Sequence, residues 1–211
     1  MTTSVHPTAL IAQDTVVDTS LRAGAYVVVG HDGDDGPVVL GAGSVLRSHT
    51  VLYRGVRAGT RFSTGHGVLI REATVLGDDV SVGSHTVLEH HVTIGNRVRI
   101  HSSCFIPELT VLEDGAWIGP GVRITNARHP NRPETKANLE GVTVAHGAIV
   151  GAAAVLLPGI RVGEGATIGA GAVVVRDVPD GAVVVGNPGR LLDRELDPTG
   201  DGPLADPGGP A

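Results

Sequence analysis

Aromatic side chains are scarce in this sequence: two Tyr, two Phe and one Trp among 211 residues. With Tyr26, Tyr53, Phe62, Phe105 and Trp117 as the whole supply, a core must be built from Val, Ile, Leu and Ala. The single cysteine, Cys104, excludes a disulfide within the chain and fits a reducing compartment. Basic residues are outnumbered 16 to 22 by acidic ones, so the chain lacks the positive footprint that binding a nucleic-acid backbone requires. No apolar run approaches the ~20 residues that span a bilayer. The opening from Met1 to Pro7 has no basic segment followed by an apolar one. The expectation is a cytoplasmic protein that binds neither nucleic acid nor membrane.

What is abundant is Gly, with 31 residues, and β-branched Val, both poor in helix interiors. Stepping by six from Leu40 gives Leu46, Leu52, Ala58, Thr64, Ile70, Leu76, Val82, Leu88, Ile94, Ile100, Ile106, Leu112, Ile118 and Ile124. Thirteen of these fifteen anchors are Leu, Ile or Val, which neither a helical period nor simple alternation produces. Four places after an anchor the side chain is again small or β-branched, as at Ser44, Thr50, Val80, Thr86 and Cys104. Earlier and later frames run from Val5 to Val29 and from Val144 to Val174. Between the frames, the segments around His31 to Pro37 and from Asn126 to about Val142 read as extruded loops.

A period of six predicts a parallel β-helix in which three hexads close one triangular coil of 18 residues. Anchors and the residues four later point into a narrow prism with no room for Phe or Trp. Cys104 falls at such an inward position, as a small apolar filler. Trp117 and Phe105, each just before an anchor, are placed at outward corners, suited to interfaces or pockets.

This pattern resembles the hexapeptide-repeat acyltransferase superfamily, over about residues 5 to 190. The resemblance implies an all-β fold, a left-handed parallel β-helix, with an extruded loop at about 126–142, and association as a homotrimer. Residues 1–190 are expected to form the β-helix domain and 191–211 a short, largely irregular C-terminal tail.

With coils stacked at ~4.8 Å, residues 18 apart become vertical neighbours. One such column is Arg54, Glu72, His90, Glu108 and Asn126, all polar, and it ends where the long loop leaves the coil. Loops longer than ~12 residues in a compact domain are usually functional. The loop carries Thr125-Asn126 followed by His129-Pro130, and the later hexads carry Ile149-Val150-Gly151-Ala152, Leu157-Pro158-Gly159 and Val185-Gly186-Asn187-Pro188-Gly189-Arg190. Together these are similar to the branch that uses acyl-CoA. Ser103 to Glu108, Ile118-Gly119-Pro120 and Thr125-Asn126 look most like the N-acetyltransferases of nucleotide-linked amino sugars. In those relatives an Asn at the position of Asn126 contacts the amino sugar near its amine, and an acidic residue lies where Glu108 does. Relatives that act on hydroxyls use the His of a His-Pro pair as general base.

Thioester aminolysis needs a neutral amine, alignment with the thioester carbon and donors for the oxyanion. A neutral His or a carboxylate in reach assists the proton transfer. By residue type the catalytic candidates are His129 and His90, with Glu108 orienting a histidine or taking the proton itself, and Asn126 positioning the acceptor. Acetyl-CoA is the expected acyl donor. Gly151, Ala152 and Ala170 offer a groove of small residues, with Pro188 in the terminal turn and Arg176 and Arg190 available to phosphates. Three alternatives stand beside N-acetylation: O-acetylation of a sugar or small alcohol, a non-catalytic scaffold, and a zinc protein. The last rests on His49, His85 and His90, with His66 and His101 nearby, which resemble the histidine set of γ-class carbonic anhydrases. No metal is assigned.

Overall fold

A computed structural model describes residues 4–31, 33 and 35–192. Across them, short strands, most of two residues, stack into three sheets of 11, 9 and 8 strands. Pairing is parallel at the 18-residue step, as in Ser63↔Ser81, Val87↔Phe105 and Val75↔Thr93. The result is a left-handed parallel β-helix of triangular cross-section. The step lengthens at two places. Val16 pairs with Val39, and Val111 with Thr143. The surplus chain is the two extruded loops expected from the broken hexad frame.

The anchors form the core. Leu46, Leu52, Ile70, Leu88, Ile94, Ile106, Leu112, Ile118 and Ile124 are all buried, as are the residues four places on, such as Val80, Val98, Cys104 and Val122. Each buried aliphatic side chain contributes ~1.5–3 kcal/mol. Two inward hydroxyls find carbonyls across the coil: Thr86 Oγ1 donates to His101 O at 2.9 Å and Thr74 Oγ1 to Glu89 O at 3.0 Å.

The expectation that aromatics are kept out of the prism fails at one residue. Phe62 is fully buried, the largest such side chain among the described residues. The two anchors that break the Leu, Ile, Val rule, Ala58 and Thr64, flank it in sequence, and Ser44 lies one coil below it. Small neighbours vacate the volume that the ring fills, which close packing requires. Trp117 and Phe105 also need correcting. They lie on flat strands, Trp117–Ile118 and Phe105–Ile106, not at corners, and the Trp117 ring sits 4.7 Å from that of His101.

From Ala23 to Ile168 most corners turn through a residue in the left-handed region three places after an anchor. Many are Gly; others are not, including His49 (φ 62°), His85 (φ 57°), His91 (φ 56°) and Leu109 (φ 66°). Non-glycine residues there cost ~1–2 kcal/mol, least for Asn, Asp and His. The corner after the eight-stranded face also carries a ladder of caps. Asp78 Oδ1 accepts from the Thr60 amide at 2.6 Å, Asn96 Oδ1 from the Asp78 amide at 2.9 Å and Asp114 Oδ1 from the Asn96 amide at 2.8 Å. Gly59, Gly77 and Gly95 are needed beneath it, because a Cβ at any of them would run into the capping oxygen.

Near the C-terminal end, Arg190–Leu191 turns back antiparallel on Val183–Val185, so the regular structure runs one residue into the segment expected to be irregular. The rest of the expected tail, 193–211, lies outside the described residues, as do residues 1–3, 32 and 34.

Candidate active site

The polar column lies on the corner that follows the nine-stranded face, as the 18-residue step predicts. Val51–Tyr53, Leu69–Ile70, Val87–Leu88, Phe105–Ile106 and Arg123–Ile124 stack in register and deliver Arg54, Glu72, His90, Glu108 and Asn126 one above another.

His90 and Glu108 form its centre. Nε2 of His90 lies 2.6 Å from Oε2 of Glu108, and the two side chains are 30% and 21% exposed, sheltered enough for the pair to hold its geometry. On the other side of the same ring, His90 Nδ1 lies 2.8 Å from His91 Nδ1. Asn126 donates from Nδ2 to the carbonyl of Glu108 at 3.3 Å. Below, Arg71 bonds Glu72 and Glu89, each at 2.8 Å. Burial pushes the Glu72 carboxyl up, but backbone hydrogen bonding, Arg71 and the nearby His90 hold it below the usual carboxylate range.

The loop is tied down over this corner. The Glu140 amide donates to Asn126 O at 2.8 Å, closing the loop at its root. Arg128 donates to both Glu140 carboxylate oxygens, at 3.1 and 3.0 Å, and to the Pro158 carbonyl of the next coil at 3.1 Å. His129 is exposed, and its carbonyl accepts from Thr135 Oγ1 at 2.9 Å. Among the described residues no hydrogen bond joins its ring to His90, Glu108 or Asn126. The structure therefore unites three of the four catalytic candidates and leaves His129 on the loop. His91 was missed by the sequence reading. Its only signal was adjacency to His90, which does not reveal that the two rings share a hydrogen bond.

The coenzyme candidates divide between two places. Gly151, Ala152 and Ala170 stack on the corner after the eleven-stranded face, and Pro188 follows the cis peptide after Asn187. Side chains at Gly119 and Gly151 would crowd the amides of Ala152 and Ala170, at 2.8 and 2.6 Å from a Cβ. Among the described residues neither amide has a protein acceptor. Arg176 and Arg190 instead line a cleft of about 480 Å³ with Val174, Pro179, Gly189 and Leu191. Two guanidinium groups on one cleft, and bare amides on a glycine-lined ridge, suit phosphates and an amide-containing arm respectively.

The histidines set out as a possible zinc site are spread apart by the coil. His49 and His85 occupy the corner before the nine-stranded face and His90 the corner after it. No group of three or more His, Cys, Asp or Glu among the described residues is arranged to hold a metal ion. His49 instead stacks at 5.1 Å on Tyr26, and His66 Nδ1 lies 2.8 Å from Ser48 Oγ. Cys104 is buried, burial pushes its thiol up, and it has no place in the site.

Over part of its length this coil is similar to known proteins. Residues 73–108 match the family model "Bacterial transferase hexapeptide (six repeats)". That match supports the resemblance of this chain to the hexapeptide-repeat acyltransferase superfamily. Nodulation protein L of Rhizobium meliloti (strain 1021) is 50% identical over 78 residues, 35% of this chain and 43% of that protein. The match thus reaches less than half the length of that relative. Among solved structures, the polySia specific acetyltransferase NeuO covers 79% of each chain at 15% identity, with a TM-score of 0.61. A galactoside acetyltransferase in complex with coenzyme A covers 60% of this chain and 65% of its own at 24% identity, with a TM-score of 0.51. These two likenesses are of fold. No helix among the described residues is long and apolar enough to cross a membrane.

Proposed function

We propose that this protein is an acyl-CoA-dependent acyltransferase that moves an acetyl group onto the amine of a nucleotide-linked amino sugar in the cytoplasm, working as a homotrimer. The observation that carries the reading is the sheltered His90–Glu108 pair, bonded at 2.6 Å beside Asn126 at the root of the loop. A histidine anchored by a carboxylate is the centre around which proton removal from an attacking amine is organised, and no covalent enzyme intermediate is needed. In this reading Asn126 holds the acceptor, and the loop carrying His129 closes over it. The donor is taken by the amides of Ala152 and Ala170, beside Gly151 and Pro188, with its phosphates on Arg176 and Arg190. The coenzyme A held by the galactoside acetyltransferase of like fold is in keeping with that donor.

Self-association is supported by the outer column of the nine-stranded face, where Val51, Leu69, Val87, Phe105, Val155 and Val173 make an apolar stripe broken at Arg123. Such a stripe is larger than scattered surface residues require. A sugar hydroxyl is the second reading of the acceptor, favoured by the His129-Pro130 pair on the loop.

The test is release of free thiol from acetyl-CoA with a panel of nucleotide-linked amino sugars, plain sugars and simple alcohols. Transfer to the amino-sugar nucleotides, falling at least ~100-fold in Asn126→Ala, supports the proposal. Transfer only to hydroxyls selects the second reading, and no transfer to any acceptor overturns both.

A further inference from the structure

We infer that His91 is the group that receives the acceptor's proton, and that His90 and Glu108 act behind it as a relay fixing its tautomer. This inference rests on the acyltransferase reading and names its base.

The argument is one of donors and acceptors. A neutral imidazole has one N–H and one lone pair. The Glu108 carboxylate, 2.6 Å from His90 Nε2, requires the His90 proton to sit on Nε2. His90 Nδ1 then offers a lone pair, and the nitrogen 2.8 Å away, His91 Nδ1, must donate to it. That choice leaves the lone pair of His91 on Nε2. His90 has both ring nitrogens engaged and has no free lone pair with which to accept a substrate proton. His91 is exposed, its backbone is in the left-handed region at φ 56°, and its amide is bonded to Glu72 O at 3.1 Å. The turn therefore swings the second ring out of the column while the first remains against Glu108. The ring planes meet at 86°, so the Nε2 of His91 does not stack back over His90.

The proton balance is complete with the groups named. The acceptor's nitrogen or oxygen attacks the thioester carbonyl carbon, forming the new bond. Its proton passes to His91 Nε2, the C–S bond breaks with its electron pair on sulfur, and the same proton is returned to that thiolate. The imidazolium formed in between donates through Nδ1 to His90, which donates through Nε2 to Glu108. Charged groups facing the pair are Arg71 and Glu72 from the coil below, Glu89 on the same coil and Glu108 above. Arg71 is occupied by Glu72 and Glu89, so Glu108 is the carboxylate bonded to the relay.

The test compares wild type with His91→Asn, a residue that tolerates the left-handed turn, and with Glu108→Gln. On whichever acceptor the wild type uses, His91→Asn should lower kcat by ~10²–10⁴-fold, with KM for acetyl-CoA little changed. It should also lose the acid limb of the pH profile, and added imidazole should restore part of the rate. Glu108→Gln should keep an acid limb but move it to lower pH, a shift that a merely structural role does not produce. In ¹⁵N-histidine NMR of the whole protein, His90 should appear as the Nε2–H tautomer and His91 as the Nδ1–H tautomer. An active wild type whose His91→Asn variant keeps its rate within about threefold and retains its acid limb overturns the relay but leaves the acyltransferase reading intact. Opposite tautomers overturn the relay on their own. A wild type inactive with every acceptor overturns the acyltransferase reading, and the relay falls with it.

Discussion

Phe62 gives a quantitative test of how this coil is packed. The ring is fully buried, while Ala58 and Thr64, the two substandard anchors, lie on either side of it in the chain. If these small residues are there to make room, the pair Phe62 and Ala58 should be interchangeable with the ordinary repeat. Phe62→Val removes about four buried carbons, at ~0.8 kcal/mol each, so it should cost about 3 kcal/mol before any cavity term. Ala58→Leu alone adds about three carbons to a full cross-section and should cost ~1–3 kcal/mol through overpacking. The double variant changes the total volume by about one carbon and should cost less than ~1.5 kcal/mol. The coupling energy is then ~3 kcal/mol, at the top of the range for residues in contact. Denaturant unfolding of the four proteins, monitored by circular dichroism, measures the cycle. Additivity within ~0.5 kcal/mol would show that Phe62 and Ala58 do not share space and that the packing argument is wrong.

Two further expectations concern the loop and the pH response. Gly141 marks the loop's re-entry into the coil, and a Cβ there would fall inside contact distance of Leu109 O and Leu109 Cβ. Gly141→Ala should therefore displace the root that holds Glu140 against Asn126, speeding proteolysis within 126–140 and lowering turnover. A protease-resistant, fully active variant would count against the loop's role. His101 titrates below the ordinary histidine value of 6.5, because burial disfavours its cation and Arg99 repels it. Its folded form thus binds fewer protons than the unfolded chain, so its contribution to stability is present above pH 6.5 and is lost as the pH falls through the lower, folded value. Melting temperature should drop on acidification from pH 7.5 to 5, and the drop should be smaller in His101→Gln; identical drops in the two proteins would refute the assignment.

The repeat was legible because it is written locally. An inward anchor every sixth residue, with a small partner four later, is a statement about side-chain direction that needs no distant contact to read. The polar column from Arg54 to Asn126 followed from the same arithmetic, as did the two loops. What escaped was anything that depended on side-chain volume or on the course of a turn. Phe62 departs from the average prism because Ala58 and Thr64 are small around it and Ser44 is small in the coil below. Trp117 and Phe105 lie on the flat face because each two-residue strand begins one place before its anchor. The cap ladder of Asp78, Asn96 and Asp114 carries a signal in the sequence, since the polar residues recur at the 18-residue step and Asp78 and Asn96 each follow a Gly, but its meaning appears only when the coils are stacked.

The sequence by itself determined the fold, its triangular coil, the place where the loop leaves and the column beneath that loop. Each of these follows from periodicity, and periodicity survives without coordinates. Tertiary structure alone decided which neighbours share a proton. His85 and His90 stand at two corners although five positions apart, while His90 and His91, consecutive in the chain, have their ring nitrogens 2.8 Å from each other. A strand carries the first pair to opposite ends of a flat face, and a left-handed turn folds the second pair together. Hydrogen bonds of that kind depend on ångström-scale ring placement, which no spacing rule encodes.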